Sequence, residues 1–321
     1  MTPVSIIYST SRKDPKIEWF LEALFRQTER DNLLYAQLVI VDFWAEAMKP
    51  EDNWTEKDAA DRQSAMRAKS PVYDTVVVPV MPNVWQGRYR LTRENWFAAS
   101  AARCTGICMA KHEALVFVDD LSCPTKTWWP SVKEAVAAGG IVAGSYRKVA
   151  NLRCADGEIV SFDDCHDGHD NRYGAGKDDG PVPCGGNWLY GCNLVAPTEA
   201  FLEINGYPQI CDGMGFEDVI AGIMLEKKGW DFSYDRRMMT FEDRDLHFVG
   251  PVMKRSDYGA SPNDKSHALL NMAQQGNGWH PGFFGEEGIR GLRKRVLAGE
   301  PFPIMGIPEH EWFTGTPLRD L

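Results

Sequence analysis

The chain has 321 residues, a length that predicts one large domain or two of ordinary size. Hydrophobic residues make up 44% of it and charged residues 25%, which is typical of a soluble globular protein with a sizeable core. Its 35 Lys and Arg against 45 Asp and Glu give a net charge of −10, which argues against binding nucleic acid or an anionic membrane through bulk charge. No apolar run approaches the roughly 20 residues of a membrane span, and the N-terminus is typical of a strand, so we expect a cytoplasmic protein.

The eight cysteines are scattered and form no CxxC pair. We expect them to be reduced, because a chain of this length without an export signal does not need a disulfide framework. Five Cys and His side chains between positions 154 and 192 offer a zinc site as an alternative to buried thiols in a polar loop, although their spacing fits no zinc finger or ribbon. They are Cys154, Cys165, His166, His169 and Cys184.

Short apolar strands alternate with amphipathic helices in the first half of the chain. The pattern predicts helices at 17–25, 95–111 and 126–138, and Asp14-Pro15 is typical of an N-cap followed by the first helical residue. Buried β-branched strands separated by helices predict an α/β fold with a mostly parallel sheet covered on both faces. The predicted strands are Val4–Tyr8, Leu38–Val41, Val76–Val78, Leu115–Val118 and Ile141–Ala143.

The second half is less regular. Residues 151–186 are rich in Asp, Gly, His and Asn and predict a long surface loop. Glu217–Gly229 has the pattern of a helix, and a last helix is expected near Glu286–Ala298. Since there is no internal repeat or low-complexity linker, we expect one catalytic domain with an irregular C-terminal extension.

Polar side chains end three of the predicted parallel strands, where ligands bind in such sheets. They are Thr10 with Arg12, Asp42, and the adjacent pair Asp119-Asp120. Adjacent carboxylates stay ionised most easily beside a cation, so the pair suggests Mg²⁺ or Mn²⁺ bridging to substrate phosphates. Alternatively, one Asp caps the next element and the other is solvated.

A second acidic pair, Glu217-Asp218, opens a predicted helix and suggests a general base that faces the mouth of the sheet. Helix capping alone would also explain one of these acids. His247 is a candidate metal ligand, with a hydrogen-bonded structural histidine as the alternative. Asn187 and Trp188 follow a Gly-Gly pair upstream.

Taken in order, these motifs resemble the family 2-like glycosyltransferases of the GT-A fold, with a C-terminal half similar to that of galactosyltransferases. The resemblance spans roughly residues 3–250. The segments that carry it are Val4–Arg12, Leu38–Asp42, Ala101–Ile107, Val116–Asp120, Ile204–Pro208 and Gly215–Asp218. It implies a Rossmann-like GT-A domain at 1–250, with a nucleotide-binding half at 1–145 and an acceptor and catalytic half at 146–250, followed by an extension at 251–321.

The resemblance implies an inverting, metal-dependent transferase that moves a sugar from a nucleotide-sugar, UDP-sugar being favoured, to an acceptor hydroxyl. Asp218 would be the general base, Glu217 would orient the acceptor, and Asp119 would face the ribose. Mn²⁺ or Mg²⁺ would be held by Asp120 and His247. Asn187 and Trp188 would form the acceptor or sugar wall. The nucleotide site would be lined by Thr10, Arg12, Asp42 and Arg103.

Two positions depart from the family pattern. The third residue of the Asp-x-Asp motif is Leu121, and the family's Asn after the arginine is Cys104. A non-catalytic sugar-nucleotide or glycan-binding protein of the same fold is one alternative, and a nucleotidyltransferase is another. The acceptor stays open between a small molecule, a glycan, a protein and a modified nucleobase.

Overall fold

The computed structural model describes residues 3–28, 36–48, 53–72, 74–82, 98–208, 216–244, 270, 274 and 287–303. Helices and short 3₁₀ turns at 173–175 and 186–188 flank one sheet. The strands are β1 Val4–Thr10, β2 Ala36–Asp42, β3 Asp74–Val78, β4 Ala114–Asp119, β5 Ser122–Pro124, β6 Ile141–Ala155, β7 Glu158–His169, β8 Val182–Cys184, β9 Asn193–Pro197 and β10 Phe232–Asp243. The helices are α1 Ile17–Gln27, α2 Glu56–Lys69, α3 Ala99–Met109, α4 Trp128–Ala138, α5 Thr198–Glu203, α6 Glu217–Lys227 and α7 Gly288–Leu297.

The sheet joins a parallel half to a largely antiparallel half. Its order is β3-β2-β1-β4-β9-β6-β10-β5, with β7 paired to β6 and β8 paired to β10. The first four strands are mutually parallel, as the sequence predicts, whereas β9 runs antiparallel to both β4 and β6. Because β10 is parallel to β6, the carboxyl ends of β1, β2, β4, β6 and β10 lie at one edge.

Alternate residues of the central strands supply the two layers of the core. Ile7 packs in the layer that contains α3, α6 and α7, and Ile6 packs in the layer that contains α1 and α4. The predicted last helix is confirmed as α7, which buries Ile289, Leu292 and Val296 in the first of these layers. The division of the chain at residue 250 stays a prediction.

The expectation of a surface loop at 151–186 is wrong for much of that segment. β6 and β7 form a long antiparallel hairpin, closed by Asp156 and Gly157, which both have positive φ angles (51° and 74°). Asp-Gly is a strong signal for such a hairpin turn. Polar residues dominate because much of the hairpin is solvent-exposed, while Ile159 and Phe162 pack on a small satellite core.

The prediction that Asp14-Pro15 starts α1 is also wrong. The helix begins at Ile17, and Lys16 is its N-cap at φ 52°. The carbonyl of Pro15 accepts hydrogen bonds from the Tyr8 hydroxyl and the Leu121 amide, each at 3.0 Å. These contacts hold Pro15 in a loop against the edge of the sheet, and the helix starts only after Lys16.

The zinc alternative has no support in the described part of the chain. No group of three or more His, Cys, Asp or Glu residues that could hold a metal ion occurs there. The candidate Cys and His residues are distributed over β6, β7 and β8 instead. Among the same residues, no helix is long and apolar enough to cross a membrane.

Candidate active site

The end of β4 places two consecutive carboxylates between two buried arginines. Asp120 pairs with Arg12, from the loop after β1, and Asp119 lies beside Arg103 of α3. Successive residues at the end of a strand point in different directions, so each acid meets a different partner. The two carboxylates differ in how closely they are hydrogen-bonded and in how exposed they are.

Asp120 is closed off by its partners. Its Oδ1 and Oδ2 each accept a hydrogen bond from Nη1 of Arg12 at 2.8 Å, and Oδ2 also accepts one from the Thr10 hydroxyl at 2.6 Å. The Asp120 and Arg12 side chains are only 7% and 8% exposed. Burial raises the pKa of Asp120, and the Arg12 guanidinium and the Thr10 hydroxyl oppose that rise.

Asp119 is held much more loosely. Nη2 of Arg103 lies 3.4 Å from Oδ1 of Asp119, and the side chain is 35% exposed. The same guanidinium donates a short hydrogen bond, 2.6 Å, from Nη1 to Oε1 of Glu217. Burial acts to lower the pKa of Arg103, but Asp119 and Glu217 raise it well above its ordinary value. Arg103 therefore joins β4, α3 and the start of α6.

Two neighbours fix the guanidinium of Arg103. Its Cζ lies 5.5 Å from the centre of the buried Tyr207 ring, within cation–π distance. A Cβ atom at Gly191 would lie 2.3 Å from Cζ of Arg103, so any other residue at this position would displace the guanidinium. Cys104, one residue after Arg103, donates from its thiol to the Tyr207 carbonyl at 3.5 Å and accepts from the Tyr207 amide at 3.3 Å.

Asp218 lies at the first turn of α6, next to Glu217. Its Oδ2 accepts a hydrogen bond from the Gly191 amide at 3.1 Å, and its Oδ1 accepts one from the Val219 amide at 2.8 Å. Burial and then the charge of Glu217 raise the pKa of Asp218 to about 7, against the opposing effect of Arg103. A carboxylate with a pKa near neutrality can both hold and release a proton.

Asp42, at the end of β2, is fully buried under an arginine that the sequence analysis missed. Nε and Nη2 of Arg62 donate to its two carboxylate oxygens, and the Trp44 amide donates to Oδ1 at 3.1 Å. Arg62 also donates to the carbonyls of Arg12 and Lys13. The pair therefore joins the loop after β1 to the end of β2.

Asn187 and Trp188 lie on a 3₁₀ turn that packs tightly on α6. A Cβ atom at Gly186 would lie 2.1 Å from the Gly222 carbonyl oxygen, so only glycine permits this spacing. Asn187 is exposed, and the Trp188 ring packs edge-on against Tyr234 with their centres 5.5 Å apart.

A second missed residue, Arg172, fixes the segment that leads to Gly191. It pairs with the buried carboxylate of Asp170, donates to the carbonyls of Gly144 and Trp188, and lies 4.0 Å over the Tyr190 ring. No local sequence pattern marks either Arg172 or Arg62 as part of the site.

Of the two carboxylates at the end of β4, Asp119 is more accessible to a divalent cation than Asp120. Carboxylate oxygens are hard ligands that suit Mg²⁺ or Mn²⁺, and Asp119 is partly exposed with long contacts only. Asp120 would have to share oxygens that already accept from Arg12 and Thr10. His247 lies outside the described residues, so its assignment stays a prediction.

The chain matches no family model and no curated protein. It is similar to solved structures. S. aureus TarS 1–349 in complex with UDP is 10% identical with a TM-score of 0.53, over 87% of this chain and 68% of that one. GalNAc-T7 with UDP, GalNAc and Mn²⁺ is 12% identical with a TM-score of 0.56, over 84% of this chain and 48% of that one. A longer S. aureus TarS structure is 12% identical with a TM-score of 0.51, over 87% of this chain and 41% of that one.

TarS and GalNAc-T7 are GT-A glycosyltransferases. The chain therefore has the GT-A fold, which confirms the fold that the sequence resemblance implies. The chain spans about half of the GalNAc-T7 structure. At identities of 10–12%, the similarity is limited to the fold.

Proposed function

We propose that the chain is an inverting, metal-dependent glycosyltransferase that moves a sugar from a UDP-sugar to an acceptor hydroxyl. The observation that carries this proposal is the Arg103 bridge, in which one buried guanidinium joins Asp119 to Glu217, the neighbour of Asp218. A strand-end carboxylate and a carboxylate suited to act as a base thus lie on one edge of a GT-A sheet. The solved structures of the same fold, which hold UDP or UDP-GlcNAc, support the donor class.

On the donor side, the ends of β1, β2 and β4 form the nucleotide site. The ribose faces Asp119, and Arg12 and Arg103 supply positive charge near the diphosphate. Thr10 and Asp42 act mainly through the arginines that they hold, Arg12 and Arg62. A divalent cation at the Asp119-Asp120 pair, with His247, would neutralise charge on the leaving diphosphate.

On the acceptor side, the acceptor O–H lies against Asp218. The Asp218 carboxylate takes the proton as the acceptor oxygen attacks the anomeric carbon, and the bond from that carbon to the diphosphate oxygen breaks. The Gly191 amide keeps the carboxylate oriented, and Arg103 keeps the charge of Glu217 balanced. Glu217 positions the acceptor, and Asn187 and Trp188 form its wall.

The test is a thermal-shift and donor-hydrolysis assay over UDP-, GDP-, ADP- and dTDP-sugars, with and without Mn²⁺. We expect one UDP-sugar to raise the melting temperature and to be hydrolysed slowly only with metal. Donor binding without turnover, across a broad acceptor set, would favour the non-catalytic alternative. Pyrophosphate release from a nucleoside triphosphate and a sugar phosphate would instead indicate a nucleotidyltransferase.

A further inference from the structure

Two half-buried tyrosine rings, Tyr146 and Tyr190, lie side by side near Asp218, and no sequence motif marks either of them. Tyr190 directly precedes Gly191, whose amide donates to Oδ2 of Asp218 at 3.1 Å. Because consecutive Cα atoms are only about 3.8 Å apart, this hydrogen bond places the backbone of Tyr190 beside the proposed base. The centres of the two rings are 6.0 Å apart. The pair therefore lies next to the place where the acceptor hydroxyl is activated.

The sheet register explains how Tyr146, a residue of β6, reaches this place. β6 and β9 run antiparallel with Ala143 opposite Leu194, so the chain continues from this pair toward Tyr146 on one strand and toward Gly191 on the other. Successive side chains of a strand point to opposite faces of the sheet. The next residue, Arg147, packs over two rings of the satellite core, so Tyr146 lies on the other face.

Arg172 holds the two rings from one side. Its guanidinium carbon lies 4.0 Å from the centre of the Tyr190 ring and 5.9 Å from that of Tyr146, within cation–π distance of both. The guanidinium is itself fixed by the Asp170 carboxylate and the Trp188 carbonyl, so it permanently covers one face of the Tyr190 ring. Since Tyr190 is only half-buried, the exposed part of its ring lies away from Arg172. The result is a rigid aromatic surface with one side open to a ligand.

From this geometry we propose that Tyr190 and Tyr146 bind the C–H face of a neutral sugar ring in the acceptor, while a hydroxyl of that ring reaches Asp218. The face of an aromatic ring is electrically negative and attracts the partly positive C–H groups of a sugar. Asp218 accepts hydrogen bonds only from backbone amides and forms no ion pair among the described residues, so a phosphate-rich acceptor would be repelled there. The inference rests on the proposed function and selects a glycan from the acceptors that the sequence leaves open.

The experiment measures the binding of methyl glycosides to the full chain by saturation-transfer difference NMR, with UDP present to occupy the donor site. The panel contains the methyl pyranosides of glucose, galactose, mannose, N-acetylglucosamine and N-acetylgalactosamine. We expect wild type to bind at least one of them and to saturate its ring C–H protons most strongly. Tyr190→Leu keeps apolar bulk over Arg172 but removes the flat ring, so it should weaken this binding about fivefold. Tyr190→Phe keeps the ring and should bind within twofold of wild type.

Two further variants make the test independent of any one substitution. Tyr146→Leu, on a different segment of the chain, removes the second ring and should also weaken glycoside binding. The matched control is Tyr173→Leu. Tyr173 also lies under an arginine, with Cζ of Arg236 at 5.1 Å from its ring centre, but it is 41% exposed on a separate 3₁₀ turn. It should bind glycosides as wild type does, and circular dichroism and melting temperature check that each variant is folded.

Equal glycoside affinity of wild type and a folded Tyr190→Leu variant would overturn the proposal, and so would the absence of saturation transfer to every glycoside. A Tyr190-dependent signal from thymidine instead would indicate a nucleobase acceptor and contradict the sugar assignment. Hydrolysis of UDP-sugars without an acceptor tests the proposed function separately. Glycoside binding that depends on Tyr190, without hydrolysis of any donor, would remove the transferase assignment and keep the sugar site. Hydrolysis without glycoside binding would do the reverse.

Discussion

The two sides of the end of β4 use the same residue types for different purposes. On one side, Arg12, Asp120 and Thr10 form a closed group in which both carboxylate oxygens accept hydrogen bonds. On the other side, Arg103 makes only long contacts with Asp119, which stays 35% exposed. The closed side holds the loop after β1 on the sheet, and the open side leaves a carboxylate that a ligand can reach.

The difference shows that adjacency in the Asp119-Asp120 motif does not mean equivalence. A buried carboxylate that is fully paired with an arginine is costly to disturb, because removing either charge leaves the other one buried alone. Replacing a partly exposed carboxylate that makes only long contacts costs the protein little stability. Stability measurements and activity measurements should therefore separate the two sides.

The largest expected effect concerns Asp218, which lies on the open side. Asp218→Asn removes the proton acceptor, and we expect the rate of sugar transfer to fall by about 10²–10⁴-fold. UDP-sugar binding, measured by thermal shift, should stay within twofold of wild type. The control on the same helix is the exposed Glu226→Gln, which should transfer at the wild-type rate. Full transfer by Asp218→Asn would remove this residue from the mechanism.

The second effect compares the two sides directly. Asp120→Asn removes the negative charge that pairs with the buried Arg12 guanidinium, so the free energy of unfolding should fall by about 3–5 kcal/mol. Asp119→Asn should change it by less than about 1 kcal/mol, because that carboxylate is exposed and loosely held. Urea denaturation of both variants measures the difference, and equal losses would contradict the distinction between a closed and an open side.

The site positions that the sequence could predict are those that follow apolar strands or open helices. The strand before Asp119-Asp120 and the helix after Glu217-Asp218 have clear periodicity, so their ends could be located. The arginine of α3 could be assigned only through the family resemblance. Its contacts with Asp119 and Glu217 depend on how β4 and α6 meet in space.

The rest depends on pairings between distant, polar segments. Arg62 lies on a helix with little apolar face, and its partner Asp42 is 20 positions away in the sequence. The end of β10 pairs with β6 and β5 residues that lie about 90 and 120 positions earlier in the sequence. The composition of the β6–β7 hairpin predicts a loop, although Asp156-Gly157 is a usable turn signal.

The pH dependence of sugar transfer tests whether Asp218, on the open side, acts as the base. Burial and Glu217 raise the pKa of Asp218 to about 7, and the residue acts as a base only when ionised. At saturating donor and acceptor, kcat should therefore fall about tenfold for each pH unit below that pKa and level off above it. A profile that is flat from about pH 5 to 8 would match an unperturbed aspartate and would contradict the assignment.

The smallest effect tests whether Thr10 belongs to the closed side. Thr10→Val keeps the shape of the side chain and removes the hydroxyl that donates to Oδ2 of Asp120 and accepts from the Arg12 amide. The free energy of unfolding should fall by about 1–1.5 kcal/mol, because Asp120 keeps both of its contacts with Arg12. In the Asp120→Asn background the loss should shrink, because the charge that Thr10 serves is gone. Urea denaturation of the single and double variants measures the coupling, and fully additive losses would mean that Thr10 acts independently of the ion pair.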